Sequence, residues 1–320
     1  MLRVESVSIS AFRGIREGSI AGLADVNVLV GRNNSGKSTV AEAMSRSTQT
    51  QDPLRRRTCD LWDHVRQDRQ QELVFRGDPA LTPTVEMKLG LWRLGGDLRA
   101  NPTLSPSVPP PPVTEASHSA YSFAQRITVF RPPDAFDAKI EALLWPEILR
   151  GRRDKALVGA LNDIAGGAVE QLQLLPDARM MLLYPQHSLT LDVQGDGMRA
   201  ALRCLMVLSV LKQTLFVLEE PESHQHPGSL AHLASAVCKL AREHEVQLLV
   251  TTHSLECVSA FLQATDEAAR AAAGQDAKGD SAVFHLKLAD GQLEVRRLDA
   301  EAVKGLLDTG VDVRKLDLYV

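Results

Sequence analysis

The chain has few cysteines, no long apolar run, no excess of positive charge and no heptad array, and each absence closes off a class of protein. Its four cysteines, Cys59, Cys204, Cys238 and Cys257, show no C-x-x-C spacing. That argues against a zinc or redox centre and for small buried thiols in a reducing compartment. No stretch approaches the ~18 uncharged apolar residues of a membrane span, and the N-terminus carries no apolar signal segment. The expectation is a cytoplasmic protein without a membrane partner. Acidic residues outnumber basic ones by 40 to 36, a formal net charge of −4. A dedicated nucleic-acid binder shows a basic balance, so DNA as a partner would need a local patch, an oligomeric surface or a second protein. The local basic runs are Arg55-Arg56-Arg57 and Arg150 with Arg152-Arg153. They read as solvated surface before they read as tracks for a phosphate backbone. Without heptads there is no coiled-coil arm, and no internal repeat is visible.

What remains is a chain of 320 residues, 44% hydrophobic and 24% charged, enough to bury a sizeable core. Leu2, Val4, Val7 and Ile9 show the broken alternation of a half-buried strand, and a second strand-like stretch covers 18–23. Residues 27–30 form a short apolar β-rich run that stops at Gly31. After Lys37 the pattern turns helical, with Val40, Ala41, Ala43 and Met44 on one side. Residues 73–75 and 85–91 read as strands. The segment 101–119, which holds Pro109 to Pro112, can be neither helix nor inner strand and reads as an exposed polyproline-like loop. Residues 127–130 are a further strand, closed by Pro132-Pro133. The span 134–169 is mostly helical, with breaks expected near Pro146, Gly151 and Gly166-Gly167. A buried helix is expected at 198–212; after it, an apolar strand at 215–218, helical spacing over 230–241 and a buried strand at 246–250 make a βαβ unit, which requires parallel strands and a right-handed crossover. Near the end, Asp290-Gly291 marks a hairpin between 282–288 and 292–298, followed by a short helix over 299–310.

Three of these junctions carry chemistry. Gly31-Arg32-Asn33-Asn34-Ser35-Gly36-Lys37-Ser38 fits the phosphate-loop spacing between a strand and a helix. The glycines let successive backbone N–H groups face phosphate oxygens. Lys37 would reach the β- and γ-phosphates, Ser38 would ligate Mg²⁺, and the helix dipole adds to the attraction for the anion. Glu219 and Glu220 end an apolar strand, the first placed to hold the metal and the second to orient an attacking water. His253 stands at the end of the next parallel strand, where open α/β sheets bind ligands and where it can sense a γ-phosphate. A weaker signal is Gln194-Gly195-Asp196-Gly197-Met198-Arg199, two glycines at a helix start that expose N–H groups to an anion.

The order of Asn33-Asn34-Ser35-Gly36-Lys37-Ser38-Thr39, Gly195-Asp196-Gly197, Glu219-Glu220-Pro221-Glu222 with His226-Pro227, and Thr252-His253-Ser254 resembles the ABC-type ATPases of the OLD, RecF and SMC group. The opening Phe12-Arg13-Gly14-Ile15 is similar to that group's N-terminal strand-turn. The resemblance implies an α/β P-loop NTPase with an ABC-ATPase head: a mostly parallel sheet core, an N-terminal antiparallel β lobe and a small helical signature lobe. It implies ATP and Mg²⁺ as cofactors, nucleotide contacts from residues 31–39 and Arg13, Lys37, Glu220 and His253 as catalytic residues, and Ser38 and Glu219 as metal ligands. It also implies a homodimer or higher oligomer formed through the ATP sites, in which Gly195 and Gly197 of one subunit cap ATP held by the other. The expected layout is one ATPase domain over 1–320: a β lobe with the phosphate loop (1–100), the proline-rich loop (101–119), the helical signature lobe (120–212), and the carboxylate strand, histidine loop and hairpin (213–320).

The sequence departs from the pattern at two places. The signature usually carries serine where Gly195 stands, leaving only backbone contacts there. The metal-side carboxylate is usually aspartate, and Glu219 is the variant of the OLD-like branch. Both departures point to slow hydrolysis, with ATP acting more as switch than as fuel. For the Q-loop glutamine, Gln125 and the cluster from Gln67 to Gln71 are the candidates. OLD nucleases carry a Toprim domain with further strands and an acidic metal site, whereas residues 254–320 read only as a helix, a hairpin and a small helix. The expectation is an ATPase without nuclease, resembling the stand-alone ATPase subunits of bacterial anti-phage systems, which act with a separately encoded, nuclease-like effector. The competing readings are a nucleotide-dependent scaffold with negligible turnover and the ATPase subunit of a transporter. The latter is disfavoured by the incomplete signature and by the run from Pro221 to Pro227.

Overall fold

The computed structural model describes residues 2–46, 75–78, 80–97, 103–106, 122–123, 127–137 and 139–319. In chain order the elements are β1 (Ser6–Phe12), β2 (Ile15–Ala21), β3 (Val26–Val30), α1 (Lys37–Arg46), β4 (Thr84–Leu89), β5 (Trp92–Asp97), β6 (Thr103–Pro106) and β7 (Thr128–Phe130). There follow α2 (Lys139–Arg150), α3 (Asp154–Ala165), β8 (Gln171–Leu174), β9 (Met180–Leu183), β10 (Ser188–Thr190), α4 (Asp196–Val210) and β11 (Leu215–Glu219). The last are α5 (Pro227–Glu243), β12 (Gln247–Thr251), α6 (Leu255–Ala273), β13 (Ser281–Ala289), β14 (Gln292–Asp299) and α7 (Ala300–Asp308).

The central strands read as continuous apolar runs because both their faces are covered. β3 is buried at every position, and so is β12. Successive side chains enter opposite cores, as the period of a strand demands. Val26, Val28, Val30, Phe216, Leu218, Leu248 and Val250 pack with the helices α2 to α6 on one face. Leu29, Leu215, Val217 and Leu249 pack on the other face with α1 and the N-terminal strands. The described strands form one eleven-stranded sheet, ordered β6-β5-β4-β1-β2-β14-β13-β3-β12-β11-β7, and a three-stranded sheet, β10-β9-β8. The run β13-β3-β12-β11-β7 is parallel throughout. The outer strands β2, β1, β4, β5 and β6 are antiparallel. This is the mostly parallel core with an N-terminal antiparallel lobe that the sequence implied.

Two fully buried amides lock the core. Asn27 accepts from the Ala24 N–H at 2.7 Å and donates to the Leu248 carbonyl at 3.0 Å. Gln247 accepts from the Val4 N–H at 2.8 Å and donates to the Val4 and Ala24 carbonyls. Each satisfies strand-end groups that would otherwise be buried unpaired.

The expected hairpin forms at Asp290-Gly291, where both residues take positive φ (48° and 82°), the geometry of a two-residue primed turn. Elsewhere the structure corrects the reading. The stretch 85–91 is not one strand: Gly90, at φ 59°, turns the chain between β4 and β5. Phe75 lies in a short 3₁₀ turn rather than a strand, and residues 73–74 lie outside the described residues. Part of the proline-rich segment is β6, a strand at the sheet edge, where a proline's missing N–H breaks no inner ladder; residues 107–119 lie outside the described residues. Pro146 does not break α2. Ile140, Leu144, Trp145 and Ile148 are buried on both sides of it, and their packing outweighs the lost helical bond. The breaks fall at Gly151 and at Gly166, the latter a left-handed C-cap.

Among the described residues no helix is long and apolar enough to cross a membrane. Cys204, Cys238 and Cys257 are buried free thiols, and burial pushes Cys204 and Cys238 up to about 12. Cys59, Arg55-Arg56-Arg57, Gln67 to Gln71 and Gln125 lie outside the described residues. In the second basic run, Arg150 pairs with Glu147 and Arg153 donates to the Ser209 carbonyl, so both serve local structure.

Candidate active site

Parallel pairing brings the carboxyl ends of β7, β11, β12, β3 and β13 to one edge of the sheet, the place where such sheets bind ligands. β3 leaves its core at Val30 and turns at once. Gly31 sits at φ 145°, and a Cβ there would stand 2.4 Å from the Leu286 carbonyl oxygen of β13, so only glycine fits. Asn34 (φ 63°) and Gly36 (φ 96°) complete the turn into α1. Arg32, Asn33, Asn34 and Ser38 are exposed, Thr39 is half-buried, and Ser35, Gly36 and Lys37 are buried. The Lys37 ammonium donates to the Gly31 carbonyl at 2.8 Å, the Arg32 carbonyl at 3.1 Å and Ser35 Oγ at 3.3 Å. Burial lowers its pKa to about 8, against the opposing pull of Glu220 and Glu222. The loop thus folds around its own lysine and runs directly into the N-terminus of α1.

Glu219 closes β11, and its Oε1 accepts from Arg131 Nε at 3.1 Å. Burial pushes its pKa up, while the Arg131 charge and hydrogen bond pull it back. Glu220 adopts a left-handed conformation (φ 47°, ψ 54°), fixed by its N–H bond to the Thr251 carbonyl at 2.9 Å. Such a conformation in a non-glycine residue costs free energy and persists where the surroundings impose it. Its Oε1 lies 3.5 Å from His253 Nε2. Burial, then the Lys37 charge, lowers the His253 pKa, which favours a neutral ring.

Glu222 holds the histidine turn from beneath: its Oε1 accepts from Thr252 Oγ1 at 2.6 Å and from the His253 N–H at 2.9 Å. Arg314 holds it from above, donating to the His253 carbonyl at 2.6 Å while Asp312 grips the guanidinium with both oxygens.

Beside these groups lies a cleft of about 520 Å³, lined by Gly31, Arg32, Asn33, Asn34, Ser35, His253, Leu286, Lys287, Leu288, Arg314, Lys315 and Asp317. Four cationic side chains against one carboxylate suit a polyanion. Sequence reasoning missed the contributions of β13, the final 3₁₀ turn (Val313–Leu318), Glu222 and Arg131. The first two come from far along the chain and carry no local pattern. Arg131 follows the strand read at 127–130, but the pairing of that strand with the carboxylate strand is visible only in the structure.

Of the predicted residues, Gly31, Arg32, Asn33, Asn34, Ser35 and His253 line this cleft; Gly36, Lys37, Ser38, Thr39, Glu219 and Glu220 do not, nor do Arg13, Gly195 and Gly197. Arg13, at φ 51° in the β1–β2 turn, points its guanidinium to Glu42 of α1 at 2.8 Å. Gly195 is the N-cap of α4 and faces open space. Gly197 lies against the turn after Glu220: a Cβ would meet the His224 carbonyl oxygen at 2.7 Å, and Gln225 Nε2 donates to its carbonyl at 2.8 Å. Arg199, one turn on, lies 4.8 Å above the ring of Phe136.

No group of three or more metal-ligating side chains stands ready among the described residues. Ser38 and Glu219 offer only a hydroxyl and a carboxylate. That set fits Mg²⁺, which keeps waters and takes substrate phosphates as ligands.

Comparison with known proteins bears on the fold and on family likeness. Residues 106–259 match a family profile described as "AAA domain, putative AbiEii toxin, Type IV TA system". The match includes Glu219, Glu220 and His253 and begins beyond the phosphate loop. A 69-residue stretch is 32% identical to an uncharacterised protein of Methanocaldococcus jannaschii, covering 22% of this chain and 60% of that relative. The fold is similar to the SMC head domain from Thermotoga maritima (TM-score 0.55, 14% identity, 93% of this chain and 100% of that one). It is similar also to an Smc head with an extended coiled coil bound to the C-terminal domain of ScpA, derived from Pyrococcus furiosus (TM-score 0.59, 11% identity, 97% and 99%). A third likeness is to an Smc head bound to the C-terminal winged-helix domain of ScpA (TM-score 0.61, 12% identity, 94% and 99%). The fold is that of the SMC head domains, and residues 106–259, a little under half of the chain, carry the likeness to an AAA domain.

Proposed function

We propose that this ATPase is a switch: Mg-ATP pairs two copies of the chain head to tail, and the paired state signals to a separate effector protein. The observation that carries this reading is the division of the site. The phosphate loop, Glu220 and His253 converge on one edge, with Glu220 and His253 3.5 Å apart. Gly195, at the N-terminus of α4, lines no part of that cleft, and a side chain there would meet nothing within 4 Å, which suits a helix start offered to an anion on another copy. Exposed Val193 and Phe136 beside that helix start suit a contact surface.

In this reading residues 31–39 wrap the phosphates and Lys37 exchanges loop carbonyls for β- and γ-oxygens. Ser38 and Glu219 would hold Mg²⁺, which supplies charge neutralisation between the phosphates when bound. Glu220 orients the attacking water, and neutral His253 donates to the γ-phosphate. Arg13, tied to α1, acts on the loop's helix rather than on the phosphates directly. The buried free thiols suit a reducing cytoplasm. The family match to a toxin–antitoxin ATPase and the ScpA-bound Smc heads support a separately encoded partner, in phage defence or DNA maintenance.

Fluorescent-ATP binding and phosphate release test the site. Lys37→Ala should abolish binding. Glu220→Gln should bind ATP as the wild type does and lose turnover by about a hundredfold or more. Turnover that survives Glu220→Gln would remove Glu220 from the chemistry and favour the scaffold reading.

A further inference from the structure

Arg131 belongs to none of the motifs, yet it stands at the centre of the acidic end of the site. β7 lies beside β11 with Phe130 opposite Leu218, so Arg131 and Glu219 emerge side by side as the next residues. Their side chains meet at 3.1 Å, with 19% and 11% of their surfaces exposed. The arginine is held from its own backbone: its N–H donates to Asp134 Oδ2 at 2.7 Å, and the Asp134 N–H bonds the Arg131 carbonyl at 2.9 Å. That reciprocal cap opens the turn Pro132–Phe136, and buried Arg203 of α4 grips the turn through the Ala135 carbonyl. Glu219 also feels the negative charges of Glu42 and Glu220. Arg131 is therefore the cation that offsets a crowded group of carboxylates at the point where a divalent ion would sit.

We propose that Arg131 is the resident counter-charge of Glu219, a positioning residue that binds the carboxylate in the nucleotide-free state and must leave it when a divalent cation arrives with ATP. The proposal rests on the reading of Ser38 and Glu219 as the metal side of the site. A guanidinium and a dication at one partly buried carboxylate repel each other, so the Arg131–Glu219 bond and the cation–Glu219 contact compete. Cation arrival would thereby displace the Arg131 side chain at the head of the turn Pro132–Phe136, whose Phe136 ring packs under Arg199 of α4. The metal side of one site and the helix start offered to a second copy would be linked through that turn.

The test compares fluorescent-ATP dissociation constants in EDTA and in Mg²⁺, in the Glu220→Gln background that blocks turnover. The ratio of the two constants measures how much the cation helps. Arg131→Met should raise that ratio by at least about tenfold, because the competing charge is gone. Arg131→Gln carries the same expectation should the methionine variant not fold. Glu219→Gln should bring the ratio towards one, and adding Arg131→Met to it should change nothing further. A purely structural role would move both constants together, and an unchanged ratio overturns the proposal; so does a fall, which would make Arg131 a supporter of the cation. If the parent protein binds ATP in neither condition, the reading of the site itself fails, and this inference with it.

Discussion

Asp134 caps the backbone of Arg131 while its carboxyl is largely shielded from water. Burial raises its pKa to about 6, with Asp137 and Glu219 adding to the rise and Arg131 opposing it. In the unfolded chain the same carboxyl titrates near ~3.9. Between those values the native state binds more protons than the unfolded one, so this residue's contribution to stability falls as pH rises through the window. Above pH 6 the ionised carboxylate is a net burden, of up to about 3 kcal/mol for a two-unit shift. Asp134→Asn keeps an oxygen for the Arg131 N–H and never ionises. Urea denaturation across pH 4–8 should find it more stable than the wild type by about 1–3 kcal/mol at pH 7.5, with the difference vanishing near pH 4. A difference independent of pH would show that ionisation of Asp134 is not its source. At this scale the sequence was most legible where chemistry is contiguous. Gly31 to Ser38 lie between one strand and one helix, so spacing alone located them. Glu222 and Arg314 were not legible, because their roles consist of bonds to the His253 turn, and Arg314 stands 61 positions away from it.

Helix α4 shows the same contrast one level up. Its apolar stretch predicts a buried helix, and residues 200–209 are buried as expected. The pattern did not disclose that Arg203, in the middle of that stretch, is fully buried. It pairs with Glu141 of α2 through Nε at 2.9 Å and Nη2 at 2.6 Å and bonds the Ala135 carbonyl. This fork joins the helix that begins at Gly195, the helix that contains Pro146 and the turn that follows Arg131. Arg203→Met should cost about 3–5 kcal/mol in urea denaturation, because it strands a buried carboxylate. Replacing both partners, Arg203→Met with Glu141→Leu, should recover most of that loss. If the double variant is as unstable as the single one, the pair matters through shape rather than charge. The β8–β10 sheet and the β5–β6 edge escaped the sequence because their strands are short and one lies in a proline-rich segment. Edge position is a tertiary fact that no local pattern encodes.

Across the whole molecule, the eleven-stranded sheet joins the antiparallel lobe to the parallel core where β14 runs alongside β2. That join lets β13 close one side of the cleft and lets the final turn reach the histidine. The βαβ order and the Asp290-Gly291 hairpin were readable in sequence, but the parallel contacts of β13 with β3 and β14 with β2 were not, since nothing in those strands names their neighbours. The assembled edge holds the phosphate loop, Glu219, Glu220 and His253, while Gly195 and Gly197 at the α4 N-terminus line no part of the cleft. Under the proposed function a second copy supplies the missing half. Sedimentation velocity of the Glu220→Gln protein, with and without Mg-ATP, tests it directly. The expected result is monomer without nucleotide and dimer with Mg-ATP, the dimer being lost in Lys37→Ala. A protein that binds Mg-ATP and keeps one sedimentation coefficient in both conditions would contradict it.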